Sequence, residues 1–152
     1  MRKLIVCNIV SLDGYYEGPD GDVMARPVER EISRLDTAID KVVVSDSLTA
    51  DQTAPWHNTR IVSRADAHEQ ITELKSGPGR DILVFGSHTL WNDLLAHALV
   101  DELHLMIGAG VLGAGTPAFN GRPPVSLQLI DTRTWDGSSL VLARYAVRPT
   151  AA

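Results

Sequence analysis

Apolar positions along the chain alternate between short continuous runs and stretches in which they recur every three or four residues. The short runs are rich in β-branched residues, which is typical of strands. Strands are predicted at Lys3–Val10, Lys41–Asp46, Thr59–Ser63, Ile82–Phe85, Asp101–Ile107, Val125–Thr134 and Ser139–Val147, and helices at Pro27–Ile39, at 66–76 and after Ser87. This alternation, which ends in a hairpin around Asp136-Gly137, predicts an α/β domain with a mainly parallel sheet and an antiparallel end.

The turn after the strand Ile82–Phe85 is the first candidate for a binding site. Gly86 and Ser87 end this apolar run, which is expected to be covered on both faces. The free N–H groups and the positive dipole end of the following helix suit a phosphate, with Ser87 as the cap. An ordinary strand–turn–helix connection has the same pattern, so simple capping stays the alternative. The predicted inner positions of the helix are Leu90, Leu94 and Leu95, with Asn92 and Asp93 facing away.

A second glycine-rich segment, Gly108–Gly113, matches the G-x-G-x-x-G spacing of dinucleotide-binding folds. That fingerprint has to open a helix, but here Gly115-Thr116-Pro117 follows, with more prolines beyond. Its late position also leaves no room for the rest of a doubly wound sheet. The segment is therefore interpreted as a loop whose glycines permit close backbone approach to a cofactor, a neighbouring strand or a dimer partner.

The loop after the first strand carries Asp13 next to Gly14, at the edge where open α/β sheets bind ligands. A carboxylate there would orient a polar heterocycle or relay a proton, while an Asp that stabilises its own turn is the competing interpretation. Tyr15 and Tyr16 follow directly. Their aromatic side chains would either cover a planar ligand or cap the core.

Composition narrows the classes of function. The 152 residues suit one domain, and 44% hydrophobic with 22% charged residues are ordinary for a globular protein. A net charge of −5 argues against nucleic acid or an anionic membrane as a partner, and no segment approaches the length of a membrane span. Without a signal-peptide pattern, a cytoplasmic protein is expected. The histidines lack ligand spacing, so no metal site is predicted.

Five segments, in this order, resemble the dihydrofolate reductase-like family related to the C-terminal reductase domain of the bacterial riboflavin-biosynthesis deaminase/reductase. They are Val10–Tyr15 with Gly18–Asp22, Lys41–Ser45, Asp81–Leu90, Leu99–Leu103 and Val111–Phe119. Each is short, but the ordered set spans nearly the whole chain. The resemblance implies one dihydrofolate reductase-like domain over 1–148 and a tail at 149–152, with a mainly parallel sheet and a C-terminal antiparallel hairpin.

The resemblance also implies an activity, which is the reduction of a small heterocyclic or carbonyl substrate by NADPH, or by NADH, in a homodimer. It places the cofactor phosphates at the turn and helix start, the adenosine side near Ser45, and the nicotinamide end near the glycine loop. Asp13 takes the catalytic position beside the substrate. The cofactor-binding positions implied in this chain are Ser45, Gly86, Ser87, His88, Thr89, Leu90, Gly113 and Gly115.

The interval before Lys41 is shorter than in the family. Relatives place a further helix there and a strand ending in Gly-Arg-x-Thr-Tyr, whose arginine helps to bind phosphate, whereas Val23–Asp40 has room for one helix. One central strand is therefore expected to be missing. Either Val42–Ser45 pairs directly beside Ile82–Phe85, or a second chain fills the gap, or the fold is compromised. Asp46 stands where many relatives have a basic residue, which disfavours a 2′-phosphate and keeps NADH open.

Two functions follow from this resemblance. The first is a small NAD(P)H-dependent reductase, favoured by the retained turns at Asp13-Gly14 and at Gly86–Thr89. The alternative is a non-catalytic dimeric relative that has lost cofactor binding, favoured by the missing arginine. No zinc-deaminase signature accompanies the chain, so the bifunctional riboflavin enzyme is excluded. A different small-molecule binding role for the same cleft is a third and weaker hypothesis, and likeness of fold does not decide among the three.

Overall fold

The computed structural model describes residues 1–20, 38–54 and 56–150. The chain divides into two compact units, one formed by Met1–Met24 with Leu74–Ala152 and the other by Ala25–Glu73. The helix predicted at Pro27–Ile39 lies outside the described residues except for its last two positions. The single domain expected over 1–148, with its short tail, stays a prediction.

Nine strands and three helices are found in the described residues. The strands are β1 (Leu4–Val10), β2 (Tyr15–Glu17), β3 (Lys41–Val44), β4 (Thr59–Val62), β5 (Ile82–Val84), β6 (Glu102–Ile107), β7 (Thr116–Pro117), β8 (Val125–Thr134) and β9 (Val141–Pro149). The helices are α1 (Ala50–Thr53), α2 (Ala67–Ser76) and α3 (His88–Ala96). None of these helices combines the length and the apolar character that crossing a bilayer requires.

The larger unit contains a five-stranded sheet with the order β5-β1-β6-β9-β8. β1 pairs in parallel with β5 on one side and with β6 on the other. β9 runs antiparallel to β6, and β8 runs antiparallel to β9, so the C-terminal hairpin extends the sheet. The predicted α/β fold, mainly parallel with an antiparallel C-terminal end, is confirmed. Gly137 in the predicted hairpin turn has a φ of 74°, which glycine adopts without steric cost.

The core of the larger unit lies on one face of this sheet. Alternate side chains of a strand point to the same face, and the alternate residues of β1 are buried accordingly. α3 adds a second buried set at helical spacing, and burial of one leucine side chain contributes about 1.5–3 kcal/mol. The fully buried residues of the two elements are Leu4, Val6, Trp91, Leu94 and Leu95. β1 and α3 therefore anchor the turn that precedes α3.

The opposite face of the sheet carries a row of charged side chains. Lys3 donates to Glu102 at 2.6 Å, and His104 donates to the other oxygen of Glu102 at 2.8 Å. His104 is in register with Arg144, which forms two hydrogen bonds with Asp131 of β8. We call these five residues the ionic row. Because Lys3 and Glu102, and likewise Arg144 and Asp131, have opposite charges, the row stabilises the pairing of the strands that carry it.

β5 differs from the predicted strand that is covered on both faces. Leu83 is 51% exposed, and Phe85, directly after the strand, is 63% exposed. Among the described residues β5 is an end strand that pairs with β1 alone. An end strand has a neighbour on one side only, which explains why these apolar side chains stay accessible.

The smaller unit contains a two-stranded parallel sheet of β3 and β4, in register from Lys41 opposite Thr59 to Val44 opposite Val62. One residue further, the Ser45 N–H donates to the Val62 carbonyl at 2.9 Å. Within the described ranges β3 and β5 belong to different sheets, so direct pairing between them is not the arrangement found. The missing central strand stays a prediction.

Candidate functional site

Three exposed apolar side chains mark the edge where the parallel strands of the larger unit end. Leu12 follows β1, Phe85 follows β5 and Val111 lies beyond β6. They are 63%, 63% and 68% exposed, respectively. Parallel neighbours end at the same side of a sheet, where open α/β sheets bind their ligands. We call this side, defined by these three residues, the ligand edge.

The turn between β5 and α3 lies at the ligand edge. Gly86 has a φ of 154°, and the Gly86–Ser87 peptide bond is cis. The Ser87 Oγ accepts from the Leu90 N–H at 3.4 Å, and its carbonyl accepts from the Trp91 N–H at 3.1 Å. The predicted cap is therefore confirmed. Two further backbone N–H groups of the first turn, those of His88 and Thr89, lie at the positive end of the helix dipole.

Asn8 of β1 fixes this turn from inside the core. Its side chain is buried, with 6% of the residue exposed. With the amide oriented so that both of its ends are satisfied, it donates to the carbonyls of Phe85 and Cys7 at 3.2 Å and accepts from Trp91 Nε1 at 3.3 Å. One amide therefore ties the end of β5 to α3. The sequence pattern gives no sign of this role, because Asn8 is a single polar residue within an apolar strand.

The Asp13 side chain is hydrogen-bonded to the glycine-rich loop. Its Oδ1 accepts from the Ser11 hydroxyl at 2.7 Å and from the Leu112 N–H at 3.1 Å, and its Oδ2 accepts from the Gly113 N–H at 2.8 Å. These hydrogen bonds, with the Ser11 hydroxyl first and the Gly113 N–H second, lower the pKa of Asp13 to about 2. The side chain is therefore a carboxylate at neutral pH, and it joins two loops that lie far apart in the sequence.

Gly115 allows the glycine loop to approach β2 closely. A Cβ atom at this position would lie 2.1 Å from the Glu17 carbonyl oxygen and 3.0 Å from backbone atoms of Gly18. A side chain would therefore displace the backbone, and only glycine fits. Gly113 differs, because its Cβ position is surrounded by open space and its φ of 72° sets its preference for glycine. The sequence is consistent with a cofactor, a neighbouring strand or a dimer partner beside this loop. At Gly115 the neighbour found is the strand β2.

α3 holds the far end of the same loop through two side chains. His88 Nε2 donates to the Pro117 carbonyl at 2.8 Å, which places the proton on this nitrogen. Asn92 donates to the carbonyls of His88 and Ala118 at 3.0 and 3.1 Å and accepts from the Asn120 N–H at 2.8 Å. Asn92 is 8% exposed, so the expectation that it faces away from the core is wrong. It is buried because these three backbone groups need partners.

Aromatic rings pack between these segments. Tyr16 and His88 have ring centroids 5.4 Å apart, and His88 and Trp91 have centroids 5.8 Å apart. Trp91 meets Phe119 edge-on at 5.4 Å. Edge-on and tilted contacts of this kind are favourable aromatic geometries. β2, the start of α3 and the end of the glycine loop are therefore packed against one another.

The larger unit holds most of the predicted site residues, which are Asp13, Gly86, Ser87, His88, Thr89, Leu90, Gly113 and Gly115. Ser45 belongs to the smaller unit, where its Oγ accepts from the N–H groups of Ser47 and Leu48 at 3.3 and 3.1 Å. Asp46 accepts from the Arg64 N–H at 2.8 Å, and its other oxygen lies 3.6 Å from Arg64 Nε. Asn8 and Asn92 are the supporting residues that sequence patterns did not predict.

The larger unit has a capped helix start and a glycine-rich loop held by Asp13, both at the edge where its parallel strands end. These features define an α/β fold of the class that binds small ligands at this edge. The sequence matches the RibD C-terminal domain over residues 24–142, which is most of the chain. The protein belongs to the RibD C-terminal domain family. The resemblance drawn from the ordered motifs is thereby confirmed.

One curated protein is similar to this chain in sequence, and two solved structures are similar to it in fold. The uncharacterized protein YyaP of Bacillus subtilis is 34% identical over 79 residues, which are 51% of this chain and 42% of that protein, so the chain spans less than half of this relative. A putative riboflavin biosynthesis protein of Shewanella sp. PV-4 superposes with a TM-score of 0.69 at 18% identity, over 96% of this chain and 99% of its own. Dihydrofolate reductase of Enterococcus faecalis superposes with a TM-score of 0.62 at 10% identity, over 96% of each chain.

Proposed function

We propose that the protein is a reductase that transfers a hydride from NADPH to a C=N or C=O bond of a small heterocyclic or carbonyl substrate. The observation that carries this proposal is the capped start of α3 at the ligand edge, beside the exposed side chains of Leu12, Phe85 and Val111. A helix start suits phosphate, and exposed apolar side chains suit planar rings. Membership of the RibD C-terminal domain family supports the reductase class.

The residues at the β5–α3 turn fit the phosphates of such a cofactor. Gly86 leaves the turn without a side chain, and a Cβ atom there would come within 3.3 Å of the Tyr16 hydroxyl. Ser87 satisfies the Leu90 N–H, while the N–H groups of His88 and Thr89 are first-turn donors for phosphate oxygens. When bound, the reduced nicotinamide would supply the hydride, and the protein would hold the two reacting rings together and exclude water.

We assign Asp13 a positioning role within this function. Its carboxylate oxygens accept from Ser11, Leu112 and Gly113, so the group is engaged with the loops around it. With a pKa of about 2 it carries no proton at neutral pH and is a poor proton donor. It would instead keep the glycine loop in place at the nicotinamide end. The catalytic position predicted for Asp13 thus becomes a role in orienting the site.

NADPH is the cofactor that we place first, with NADH as the alternative. Ser45 is proposed for the adenosine side, although its Oγ already accepts two backbone N–H groups in its own turn. Asp46 disfavours a 2′-phosphate, but Arg64 lies 3.6 Å from its carboxylate and brings a positive charge to the same place. Because Arg64 offsets the negative charge of Asp46, the repulsion expected between Asp46 and the 2′-phosphate of NADPH is much reduced.

A titration of NADPH, and separately of NADH, into the purified protein tests the proposal. Transfer of tryptophan emission to the reduced nicotinamide reports binding, because Trp91 lies in the first turns of α3. Saturable binding is expected at micromolar concentrations. Ser87→Asp keeps a good helix cap but adds a negative charge beside the phosphates, so it should weaken binding by at least about tenfold.

Ser126→Asp is the matched control, because it adds the same charge at an exposed position of β8, at the other end of the sheet. It should bind like the unaltered protein. Absence of binding up to millimolar cofactor, by a sample with a cooperative thermal transition, would rule out the reductase. The non-catalytic dimeric relative would then be the better description.

Two further parts of the proposal concern assembly and location. We propose a homodimer, and exposed apolar residues on the end strand β8 support it: Leu127, Leu129 and Ile130 are 40%, 54% and 47% exposed. Dimerisation would cover apolar surface of this size at a sheet edge. We also propose the cytoplasmic location that is expected from the sequence.

A further inference from the structure

The hydroxyl of Tyr16 lies over the turn that is proposed to bind phosphate. It would be 3.3 Å from a Cβ atom built on Gly86, so it faces the space that glycine leaves open there. Tyr16 belongs to β2, and Gly86 directly precedes the cap of α3. No hydrogen-bond partner for this hydroxyl is found in the described part of the chain. A polar group therefore faces the turn with no hydrogen-bond partner among residues 1–20, 38–54 and 56–150.

The position of the Tyr16 ring is fixed by its surroundings. The ring packs on His88 with centroids 5.4 Å apart and an angle of 46° between the planes. His88 is itself held by its hydrogen bond to the Pro117 carbonyl. On both sides of Tyr16, β2 pairs with β7, through Tyr15 opposite Pro117 and Glu17 opposite Thr116. The hydroxyl is thus preorganised, and binding a ligand would cost little side-chain entropy.

The chemistry of the group suits an anion. Partial burial, and next the nearby Glu17 carboxylate, raise the pKa of Tyr16 above its ordinary value. The phenol therefore keeps its proton at neutral pH and acts as a donor. Hydrogen bonds to a charged acceptor are stronger than those between neutral groups. A phosphate oxygen at the turn would accept from the hydroxyl and from the first-turn N–H groups together.

We propose that the Tyr16 hydroxyl donates a hydrogen bond to a phosphate oxygen of the nicotinamide cofactor, which makes Tyr16 a cofactor-binding residue. The inference rests on the proposed reductase function. It adds a donor from β2 to a site otherwise formed by the β5–α3 turn. The cofactor would then be held from two sides, by the turn and by the strand above it.

Tyr16→Phe tests the inference, because it removes the hydroxyl and keeps the ring that packs on His88. The dissociation constant of NADPH is measured by energy transfer from tryptophan, with inorganic pyrophosphate as a competitor. Tyr16→Phe should raise both the NADPH dissociation constant and the pyrophosphate inhibition constant by about tenfold, as expected for one hydrogen bond to a charged group. A parallel rise in the two constants would locate the lost contact at the phosphates.

Tyr15→Phe is the matched control, because it removes the same hydroxyl from the adjacent residue, which has no atom within 4 Å of the Cβ position of Gly86. It should leave both constants within twofold of the unaltered protein. If Tyr16→Phe also stays within twofold while the unaltered protein binds NADPH, the inference fails and the reductase proposal stands. If the unaltered protein binds neither NADPH nor pyrophosphate, the proposed function fails and this inference fails with it.

Discussion

At the scale of single residues, two buried side-chain amides hold the elements of the site together. Asn8 joins the end of β5 to Trp91, and Asn92 joins α3 to the loop at Ala118 and Asn120. A pattern of hydrophobic and polar positions assigns such residues to the surface, because it takes account of the polarity of a side chain but not of the groups to which that side chain is hydrogen-bonded. The partners are backbone groups brought close by tertiary structure, 28 residues away in the case of Asn120. No local pattern contains that information.

The carboxylate of Asp13 leads to a prediction on pH. Its pKa is lowered from 3.8 to about 2 in the folded protein, so the stability that it contributes is present above about pH 4 and is lost as pH falls towards 2. Asp13→Asn should lower the thermal midpoint at pH 7, because an amide accepts more weakly from Gly113 and Leu112. The difference from the unaltered protein should shrink steadily below pH 4. Calorimetry across this range provides the measurement.

Asp20→Asn serves as the comparison for that series, since it removes the same charge at an exposed position of the same loop region. It should leave the midpoint almost unchanged at every pH. An Asp13→Asn protein whose deficit is equal at pH 3 and pH 7 would show that the carboxylate contributes nothing as an ion. The low pKa of Asp13 would then have no consequence for folding.

At the scale of elements, periodicity predicted the long strands and α3 correctly. β1 and α3 have regular sets of buried positions, such as Leu94 and Leu95 in α3, whereas β8, which was also predicted, has no buried position. The elements that it did not predict are α1, β2 and β7, which span four, three and two residues. Such short elements contain between one and one and a half repeats of the helical or strand period, which is too few to establish a pattern. β2 and β7 form because Gly115 allows their backbones to meet, which is a tertiary cause.

The ionic row provides the prediction at this scale. Hydrogen bonds, first from Lys3 and then from His104, lower the pKa of Glu102, whose side chain is 13% exposed. Glu102→Gln should lower the free energy of unfolding at pH 7 by about 1–2 kcal/mol, between the values for exposed and for buried ion pairs. Urea unfolding measures the change. Because this pKa is lowered, the difference should begin to shrink as pH falls below 4.5, the ordinary pKa of Glu, and should continue to shrink at lower pH.

A double-mutant cycle with Lys3→Met separates the pair from the rest of the row. The coupling free energy should be favourable at low ionic strength and smaller in high salt, because the Lys3 side chain is 57% exposed. If the effects of Glu102→Gln and Lys3→Met were additive, the contact between Lys3 and Glu102 would contribute nothing to the free energy of unfolding. The row would then be a consequence of strand pairing.

At the scale of the whole molecule, the order of weak motifs predicted the family and the sheet, which no single motif did. The glycine spacing at 108–113 by itself points to the wrong fold, and only the prolines that follow it correct the interpretation. The placement of Ser45 could not be derived in this way. It belongs to the smaller unit, and the cofactor-binding role that the resemblance implies for it stays a prediction.

The proposed dimer is tested at the same scale by static light scattering, which should give twice the mass of the chain. Leu129→Arg introduces a charge into the exposed apolar residues of β8 and should shift the protein to the monomer. Ser126→Arg places the same charge at an exposed polar position of this strand and should leave the dimer intact. A monomeric unaltered protein, or a dimer that survives Leu129→Arg, would contradict the use of this surface.

The pairing of β1 has a consequence for the order in which the protein is made. Its neighbours β5 and β6 lie about eighty and one hundred residues later, and the Asp13–Gly113 hydrogen bond spans 100 residues. At about 5–20 residues per second, a ribosome needs about 5–20 s to add that length. During this time β1 lacks both of the strands with which it pairs in the described structure, so its apolar residues depend on early segments of the chain or on a chaperone for shielding. Leu12, one of the three residues of the ligand edge, is therefore synthesised well before Phe85 and Val111 and acquires its final surroundings only when they follow.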